Sequence, residues 1–436
     1  MDVARVEVTG RGWPVVARTK TIAETITDIR SALQDYIEAT YHVGHPTLVR
    51  QRKALLDEEG VLFRAPYIES TPRYTVSRRF ADLDLPAPAK ELLAVMAHPS
   101  DGKPALLHDP PYTHQAMSLE AAVTQGLSLV VTTGTGSGKT ESFLLPMLSK
   151  LAVEAQTSSA FETPALRAIL LYPMNALVND QLGRLRLMLG DPVVAGSFTR
   201  WGGRPARFAR YTSRTLYPGV RTREKDKARL GSIGDFYVAL LEGFDDEDLS
   251  RREQAVQLVE NLKKRGKWPA KPDLRAWFGQ KGARWQNQAG EFVRAILRPE
   301  DPELLTRHEV LEDPPDVLIT NYSMLEYMLM RPLERPVFDA TRSWLRENPN
   351  EKLLLVIDEA HLYRGAAGAE VGLLLRRLRA RLEIPHERLQ VICTSASFHD
   401  AGYARQFAAE LSGKDAADFV TIQGELDLRP HAGQGT

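Results

Sequence analysis

The sequence has a single cysteine and lacks any long hydrophobic run. Cys393 has no second cysteine with which to form an internal disulfide, which favours a reducing compartment. The longest apolar runs, such as Leu353–Ile357, are far shorter than the roughly 20 residues that a membrane-spanning helix needs. The N-terminal segment MDVARVEVTGRGWPVVARTK has no continuous apolar core of the secretion-signal type. We therefore expect a soluble cytoplasmic protein that does not use a membrane.

A net charge is also absent, because 56 Lys and Arg residues balance 56 Asp and Glu residues. A chain of this kind needs a local positive patch if it is to bind a polyanion. The histidines are scattered without the spacing of zinc ligands, and one cysteine excludes a cysteine zinc site. The 43% of apolar residues is typical of globular proteins, and the length suits two or three domains.

Changes of pattern along the chain predict four segments. Residues 1–95 form a helical N-terminal accessory domain, in which Thr21 and Glu24 make a capping box before a helix and a proline-rich stretch at 85–90 acts as a linker. Residues 96–215 and 313–436 alternate short apolar runs with helical stretches. Residues 216–312 are charged and lose this alternation, so we predict a mostly helical insertion there.

Five apolar runs predict buried parallel strands, since each is bounded by a turn or a polar residue. They are Ser128–Thr132, Ala168–Tyr172, Val317–Thr320, Leu353–Ile357 and Gln390–Thr394. The predicted fold class is therefore α/β, with a parallel sheet sandwiched by helices. In such sheets, ligands bind at the carboxyl ends of the strands.

The stretch TTGTGSGKTESF, from Thr132 to Phe143, places a glycine-rich turn between a strand and a helix. Such a turn directs backbone N–H groups towards one point, where the helix N-terminus favours a phosphate. We expect Lys139 to contact the β- and γ-phosphates and Thr140 to ligate magnesium. The predicted nucleotide contacts are Thr135, Gly136, Ser137, Gly138, Lys139, Thr140 and Glu141. A chance glycine turn is the alternative, and Thr133 stands where the general pattern has glycine.

A second strand, Leu353–Ile357, is followed by Asp358 and Glu359. A carboxylate at a strand end can hold the magnesium ion that bridges phosphates, and a neighbouring carboxylate can orient the attacking water. We assign Asp358 to magnesium and Glu359 to the water, with acids that merely favour a helix start as the alternative. The prediction requires both carboxylates to converge with Lys139 on one magnesium–nucleotide complex.

These two motifs resemble motifs I and II of the superfamily 2 DEAD/DEAH-box helicases, and further stretches resemble the other motifs of the first RecA-like lobe, a P-loop NTPase fold. They are YTHQ at 112–115, LYPMNALVNDQ at 171–181, RYTSRT at 210–215, PPDVLITNYSMLEYML at 314–329 and TSAS at 394–397. Several of them, with RAPYIESTPRY at 64–74, are similar to large bacterial helicases of anti-phage systems such as DISARM and Druantia, and to DNA-repair relatives.

The resemblance implies roles for residues that the glycine turn and the acid pair do not cover. Tyr112 and Gln115 would contact adenine, and His361 would join Lys139, Asp358 and Glu359 as a catalytic residue. Nucleic acid would contact Pro173, Asn175, Gln181, Thr212, Arg214, Thr320 and Asn321. Thr394, Ser395 and Ser397 would couple the nucleotide state to the nucleic acid.

The stretch from Arg200 to Arg229 carries ten Lys or Arg residues and only two acidic ones, and Trp201, Phe208 and Tyr211 are interleaved with them. A run of charge is usually a solvated face of a protein. Because this run overlaps RYTSRT, we interpret it as a phosphate-binding stretch that makes nucleic-acid binding salt-dependent.

The resemblance therefore implies an ATP-binding N-terminal part of a DNA helicase or translocase in anti-phage defence or DNA repair, with ATP and Mg2+ as cofactors. No second RecA-like lobe follows the TSAS motif, so we expect a longer parent chain or a separate subunit to supply it. The isolated chain would then hydrolyse ATP poorly. DNA, that lobe and other defence-system proteins are the expected partners. A non-catalytic nucleic-acid-binding scaffold and an RNA helicase lobe are the alternatives.

Overall fold

The computed structural model describes residues 20–58, 60–62, 73–99, 104–134, 136–279, 283–396, 398 and 400–427. The chain divides into two compact units, residues 1–71 and residues 72–436. Two helices make up the described part of the first unit, α1 (Ile22–Thr40) and α2 (Pro46–Asp57). The Thr21 side chain accepts the N–H of Glu24, and the Glu24 carboxylate accepts the N–H of Thr21, so the predicted capping box is confirmed. The helix it starts ends at Thr40.

The helices and strands of the second unit are as follows. The helices are α3 (Ala87–Ala97), α4 (Thr113–Leu119), α5 (Glu141–Thr157), α6 (Asn175–Met188), α7 (Pro192–Gly202), α8 (Arg223–Ile233), α9 (Ala239–Glu242), α10 (Leu249–Lys264), α11 (Leu274–Phe278), α12 (Arg307–Glu312), α13 (Tyr322–Met330), α14 (Arg335–Glu347), α15 (Gly365–Leu382) and α16 (Ala401–Ser412). The strands are β1 (Arg73–Tyr74), β2 (Ser128–Thr132), β3 (Ala168–Tyr172), β4 (Phe208–Tyr211), β5 (Glu303–Leu304), β6 (Val317–Asn321), β7 (Leu353–Ile357), β8 (Leu389–Ser395), β9 (Phe419–Gln423) and β10 (Leu426–Asp427).

The second unit is built on an eight-stranded sheet in the order β5-β4-β6-β3-β7-β8-β2-β9. All its strand pairs are parallel, so the strands end at the same edge. The five predicted strands are confirmed, with small extensions of β6 and β8. The predicted α/β class is confirmed as well. β1 and β10 form a separate antiparallel pair.

Two hydrophobic clusters cover the two faces of this sheet. One contains Leu129, Leu170 and Val356 together with helices α3, α5 and α6, and the other contains Val130, Leu171 and helices α14 to α16. Alternate residues of one strand therefore point to opposite faces, and both faces are apolar. This is why the strands appear in the sequence as continuous apolar runs.

The division between the units lies at residues 71 and 72, before the boundary at residue 95 that the sequence predicted. The proline-rich stretch is the start of helix α3, where Pro86 is the N-cap residue and Pro88 lies in the first turn. Proline is tolerated there because the first N–H groups of a helix have no partner within it. Leu92, Leu93 and Met96 are then fully buried in the core of the second unit, so this segment belongs to the α/β domain.

The predicted insertion, residues 216–312, has a hydrophobic cluster of its own. Tyr217, Leu230, Trp268 and Trp277 are among its buried members. The segment is not wholly helical, because it includes β5, which pairs with β4 at the edge of the main sheet. Among the described residues, no helix combines the length and the apolarity needed to cross a bilayer.

Candidate functional site

The glycine-rich turn connects the end of β2 to the start of α5, at the edge where the parallel strands end. Gly136 and Gly138 adopt φ angles of +77° and +71°, which residues with a Cβ rarely adopt. Thr133 stands where the general motif has glycine, and its hydroxyl accepts a hydrogen bond of 2.7 Å from Ser137. That bond closes the turn on itself, so the structure accommodates the departure. Thr135, a predicted contact, lies outside the described residues.

Helix α4 holds the turn from one side through two neighbouring side chains. The Gln115 amide donates to the carbonyl of Gly138 at 3.0 Å, and its Oε1 accepts the N–H of Tyr112 at 3.0 Å. The His114 Nε2 lies 3.0 Å from the carbonyl of Ser137. Burial lowers the pKa of His114, so the ring is neutral at pH 7 and its Nε2 donates to that carbonyl. Sequence reasoning selected Gln115 but missed His114, although the two are adjacent.

An aromatic cluster lies beside the same turn and was also missed. The N–H of Gly134 donates to the Tyr74 hydroxyl at 3.2 Å. The Tyr74 ring lies 5.8 Å from the Tyr112 ring and 5.3 Å from the His114 ring, and the last two stack 5.7 Å apart. Tyr74 comes from β1, far from the turn in sequence, so no local signal indicated this contact. Tyr112, predicted to contact adenine, is thereby placed at the turn.

The acid pair follows β7, and the structure brings it to the glycine turn. Lys139 Nζ donates to Glu359 Oε1 at 2.8 Å across 220 positions of sequence. Glu359 adopts a left-handed conformation with φ of +52°, which is uncommon for a residue with a side chain. Its backbone N–H donates to Asp358 Oδ1 at 2.9 Å. The two motifs therefore meet, as the sequence required.

Strand β8 separates β7 from β2, and its last residues lie between the two motifs. The Thr394 hydroxyl donates to Asp358 Oδ1 in a short hydrogen bond. The Ser395 hydroxyl lies 3.2 Å from His361 Nδ1, which in turn lies 3.4 Å from Glu359 Oε2. Thr394 and Ser395, predicted to couple the nucleotide state to the nucleic acid, thus contact the predicted catalytic residues Asp358 and His361. Ser397, the last of them, lies outside the described residues.

The carboxylate of Asp358 suits a hard cation. Both hydrogen bonds that it accepts from described residues reach Oδ1, which leaves Oδ2 for another partner. Burial raises the pKa of Asp358, and the nearby Glu359 charge adds to this, whereas the Thr394 hydrogen bond and Lys139 oppose it. A divalent cation would stabilise the ionised form, because carboxylate and hydroxyl oxygens are ligands that Mg2+ prefers. Thr140, the other predicted ligand, occupies the N-cap position of α5 without a capping hydrogen bond from its side chain and is half-buried.

Glu141, the last predicted nucleotide contact, is engaged by the protein. Arg184 Nη1 donates to Glu141 Oε1 at 2.8 Å. Because Arg184 comes from α6, this ion pair links the helix after the glycine turn to the helix after β3.

Two of the predicted nucleic-acid contacts lie together at the carboxyl ends of β3 and β6. The Asn321 amide donates to Asn175 Oδ1 at 2.8 Å, and Asn321 Oδ1 caps helix α13 by accepting the N–H of Met324 at 2.8 Å. Pro173, at the end of β3, is half-buried. Arg214, in the loop after β4, is exposed. These four residues are accessible at one edge of the sheet.

The structure gives three other predicted contacts internal positions. The Thr320 hydroxyl is buried and donates to the carbonyl of Tyr211 at 2.7 Å. The Thr212 side chain is buried and accepts the N–H of Arg214 at 3.2 Å. Gln181 is buried as well. The Thr320 and Thr212 side chains thus bond within the protein and Gln181 is buried on α6, and contact of these three residues with nucleic acid stays a prediction.

Part of the basic stretch from Arg200 to Arg229 is engaged in ion pairs within the protein. Arg204 makes two bonds of 2.7 and 2.8 Å with the fully buried Asp316. Arg207 pairs with Asp313, and Arg221 lies 3.2 Å from the buried Asp226. These three arginines are therefore neutralised within the protein by Asp316, Asp313 and Asp226, and phosphate binding by the rest of the stretch stays a prediction.

Comparison with known proteins agrees with this geometry. Residues 112–210 match the family described as DEAD/DEAH box helicase. This part of the chain is similar to DEAD/DEAH box helicases. The resemblance drawn from the motifs is thus confirmed, and the match runs from the Gln115 segment through the glycine turn into strand β4.

The chain also has similar relatives. Over 429 residues the chain is 41% identical to the Druantia protein DruE of Escherichia coli (strain UMEA 4076-1), an alignment that covers 94% of this chain and 22% of DruE. It is 32% identical over 123 residues to the uncharacterized ATP-dependent helicase MJ1574 of Methanocaldococcus jannaschii, which covers 28% of this chain and 16% of that protein. The chain thus spans about a fifth of the length of these relatives.

Among solved structures, the chain is similar to the DUF1998 helicase MrfA bound to DNA. The TM-score is 0.43 at 20% sequence identity, and the superposition covers 86% of this chain and 34% of MrfA.

Proposed function

We propose that this chain is the nucleotide-binding part of an ATP-dependent superfamily 2 helicase or translocase. The observation that carries the proposal is the contact of 2.8 Å between Lys139 and Glu359. The fold does not require this contact, because Lys139 and Glu359 could each form hydrogen bonds with groups near them in sequence. The contact instead brings the lysine of the glycine turn to the acid pair, in which Asp358 also accepts a hydrogen bond from Thr394. Nucleotide hydrolysis requires this arrangement of a lysine and two carboxylates.

Each residue has a separate role in this proposal. The N–H groups at the start of α5 and Lys139 bind the phosphates, and Asp358 with Thr140 holds Mg2+. Mg2+ held by Asp358 and Thr140 would supply positive charge to the phosphates. Glu359 orients the attacking water and accepts its proton. Because Lys139 and Glu359 neutralise each other in this structure, Lys139 must exchange Glu359 for phosphate before Glu359 is free to act on water.

The proposed substrate is DNA, and the proposed setting is anti-phage defence or DNA repair. The similarity to DruE across 94% of this chain supports the defence setting. A second RecA-like lobe, from a longer parent chain or another subunit, would supply arginines that stabilise transition-state charge. Arginines of this kind are worth about 10³–10⁵ in rate. We therefore propose that the isolated chain binds ATP but hydrolyses it slowly.

The decisive experiment measures phosphate release from ATP by this chain together with the second lobe, with and without single-stranded DNA. Lys139→Ala and Glu359→Gln should each lower turnover by at least about 100-fold, because each removes a group that acts on the charge or the water of the reaction. Lys263→Ala is the matched control, since Lys263 is exposed on α10. Normal turnover in Lys139→Ala would refute the assignment.

The same experiment separates the alternatives. A non-catalytic scaffold would bind nucleic acid but release no phosphate above background, with or without DNA. An RNA helicase would show stimulation by single-stranded RNA that exceeds stimulation by DNA at the same salt concentration.

A further inference from the structure

A cavity of about 330 Å3 lies where the insertion meets the α/β domain. Its wall includes Leu182 and Arg186 from α6, Arg210 and Arg214 from β4 and the loop after it, and Phe236 and Tyr237 from the insertion. The cavity is distinct from the nucleotide site, since none of its lining residues belongs to the glycine turn or the acid pair.

The charge around this cavity is unbalanced. Arg186 is neutralised, because it makes bonds of 2.6 to 3.0 Å with the carboxylate of Glu303. Neither Arg210 nor Arg214 forms an ion pair with a described residue. Arg210 instead donates to the neutral Asn179 Oδ1 at 2.8 Å. Burial and the neighbouring Arg186 charge lower the pKa of Arg210, and Glu303 opposes this effect. An anion bound in the cavity would give Arg210 and Arg214 the ion-pair partner that no described residue provides.

Aromatic rings line the other side of the cavity. Phe236 is 50% exposed, and its ring lies 4.9 Å from that of Tyr237 in an edge-to-face contact. Tyr237 is fixed from behind by the Trp268 ring at 5.3 Å. A large exposed apolar ring beside unpaired arginines is a suitable surface for a nucleobase next to its phosphate.

Helix α6 connects the cavity to the residues proposed to bind nucleic acid. Asn175, Asn179, Leu182 and Arg186 follow at spacings of three and four residues and therefore lie on one face of this helix. Asn175 contacts Asn321, whereas Leu182 and Arg186 line the cavity. A strand that follows this face passes from one site to the other.

We propose that this cavity seats one nucleotide of a bound single strand, with the phosphate on Arg210 and Arg214 and the base against Phe236 and Tyr237. The proposal gives the insertion a direct part in strand binding. It rests on the proposed nucleic-acid-binding function and extends the RYTSRT motif, which holds Arg210 and Arg214, with the aromatic residues Phe236 and Tyr237 of the insertion.

Binding of a fluorescein-labelled oligothymidylate of about 16 nucleotides tests the proposal by fluorescence anisotropy over a range of salt concentrations. Phe236→Ala should weaken binding about tenfold, because loss of a base–aromatic contact costs about 1–3 kcal/mol. Arg214→Ala should reduce the slope of log K against log salt by about 0.7, the value for one phosphate contact to a single strand. Photocrosslinking of a 5-iodouracil oligonucleotide should map to Phe236 or Tyr237.

Two variants on the exposed face of α10 serve as matched controls. Leu258→Ala removes an exposed apolar side chain, and Arg252→Ala removes an exposed arginine, both away from the cavity. Both should leave the affinity and the salt slope unchanged.

The outcomes distinguish the site from the function. If the unmodified chain binds the oligonucleotide but neither variant changes affinity or slope, the cavity proposal is overturned and the helicase proposal stands. If thymidine monophosphate binds and Phe236→Ala weakens its binding but not the binding of the oligonucleotide, the cavity binds a free nucleotide. The proposal that it holds one nucleotide of a bound strand is then overturned. If the unmodified chain binds no nucleic acid, both proposals fail.

Discussion

A methyl group added to Gly138 should disturb nucleotide binding through Gln115. An ideal Cβ at Gly138 would overlap the Gln115 side-chain nitrogen, and its next neighbour, Glu141 Oε2, would lie at 3.3 Å. A Cβ at Gly136 meets nothing within 4 Å. The two glycines have similar φ angles of +71° and +77°. Gly136→Ala is therefore a control that carries the backbone strain without the steric overlap.

The magnitudes follow from the hydrogen bonds that must break. Positive φ costs an alanine about 1–2 kcal/mol, and both variants share this cost. In Gly138→Ala, Gln115 must also turn away, which breaks its two bonds of 3.0 Å to Gly138 and Tyr112. At about 0.5–1.5 kcal/mol for each bond, Gly138→Ala should be about 1–3 kcal/mol less stable than Gly136→Ala. Urea denaturation monitored by tryptophan fluorescence measures the difference.

A double-mutant cycle isolates the role of Gln115. In a Gln115→Ala background the side chain that the new methyl group would displace is missing, so the two alanine variants should differ by less than about 0.5 kcal/mol. Affinity for a fluorescent ATP analogue should follow the same order, because the carbonyl of Gly138 loses its partner only when Gln115 turns away. A difference that persists in the Gln115→Ala background would refute the reasoning.

Two further predictions concern buried charges. Lys271→Met should lower the free energy of unfolding by about 3–5 kcal/mol, because Lys271 donates at 2.8 Å to both Asp301 and Glu309 and all three side chains are fully buried. Urea denaturation measures this loss, and Lys263→Met, at an exposed position, is the control. A loss below about 1 kcal/mol would contradict the prediction. Asp358→Asn should abolish ATP turnover yet stabilise the fold at pH 7, because the raised pKa of Asp358 means that its ionised form is disfavoured in the native state. The native state binds this proton more tightly than the unfolded state, so the unmodified chain loses stability as pH rises from about 3.8 through the raised pKa of Asp358. The difference in unfolding temperature between the variant and the unmodified chain should therefore grow over that pH range and then stay constant. A variant that is less stable than the unmodified chain at pH 7 would contradict this prediction.

The strands that sequence patterns predicted are those buried on both faces. β2, β3 and β7 are apolar throughout, so their runs stand out. β4 was missed because Arg210 interrupts it, and β9 was missed because it is an edge strand with exposed and buried positions mixed. The proline-rich stretch was misinterpreted for a related reason, since proline begins helices as readily as it interrupts chains.

The candidate site was predicted where its chemistry is local in sequence. The glycine turn and the acid pair each occupy a few consecutive residues, and the types of those residues indicate the chemistry of the site. Tyr74 and His114 were missed because they contribute hydrogen bonds to the backbone of the turn, and a contact of this kind cannot be predicted from the residue type alone.

The arginines of the basic stretch show what decides whether a charge is available to a partner. Arg204 has the buried Asp316 for a partner, and burial of either ion alone would cost several kcal/mol, so this pair serves the fold. Arg210 and Arg214 have no such partner among the described residues, and both line the same cavity. A chain with no net charge can attract a polyanion at one place where cations without ion-pair partners lie together. Under the cavity proposal, Arg210 and Arg214 supply that positive charge at the junction of the insertion and the sheet, where the salt dependence of Arg214→Ala would reveal it.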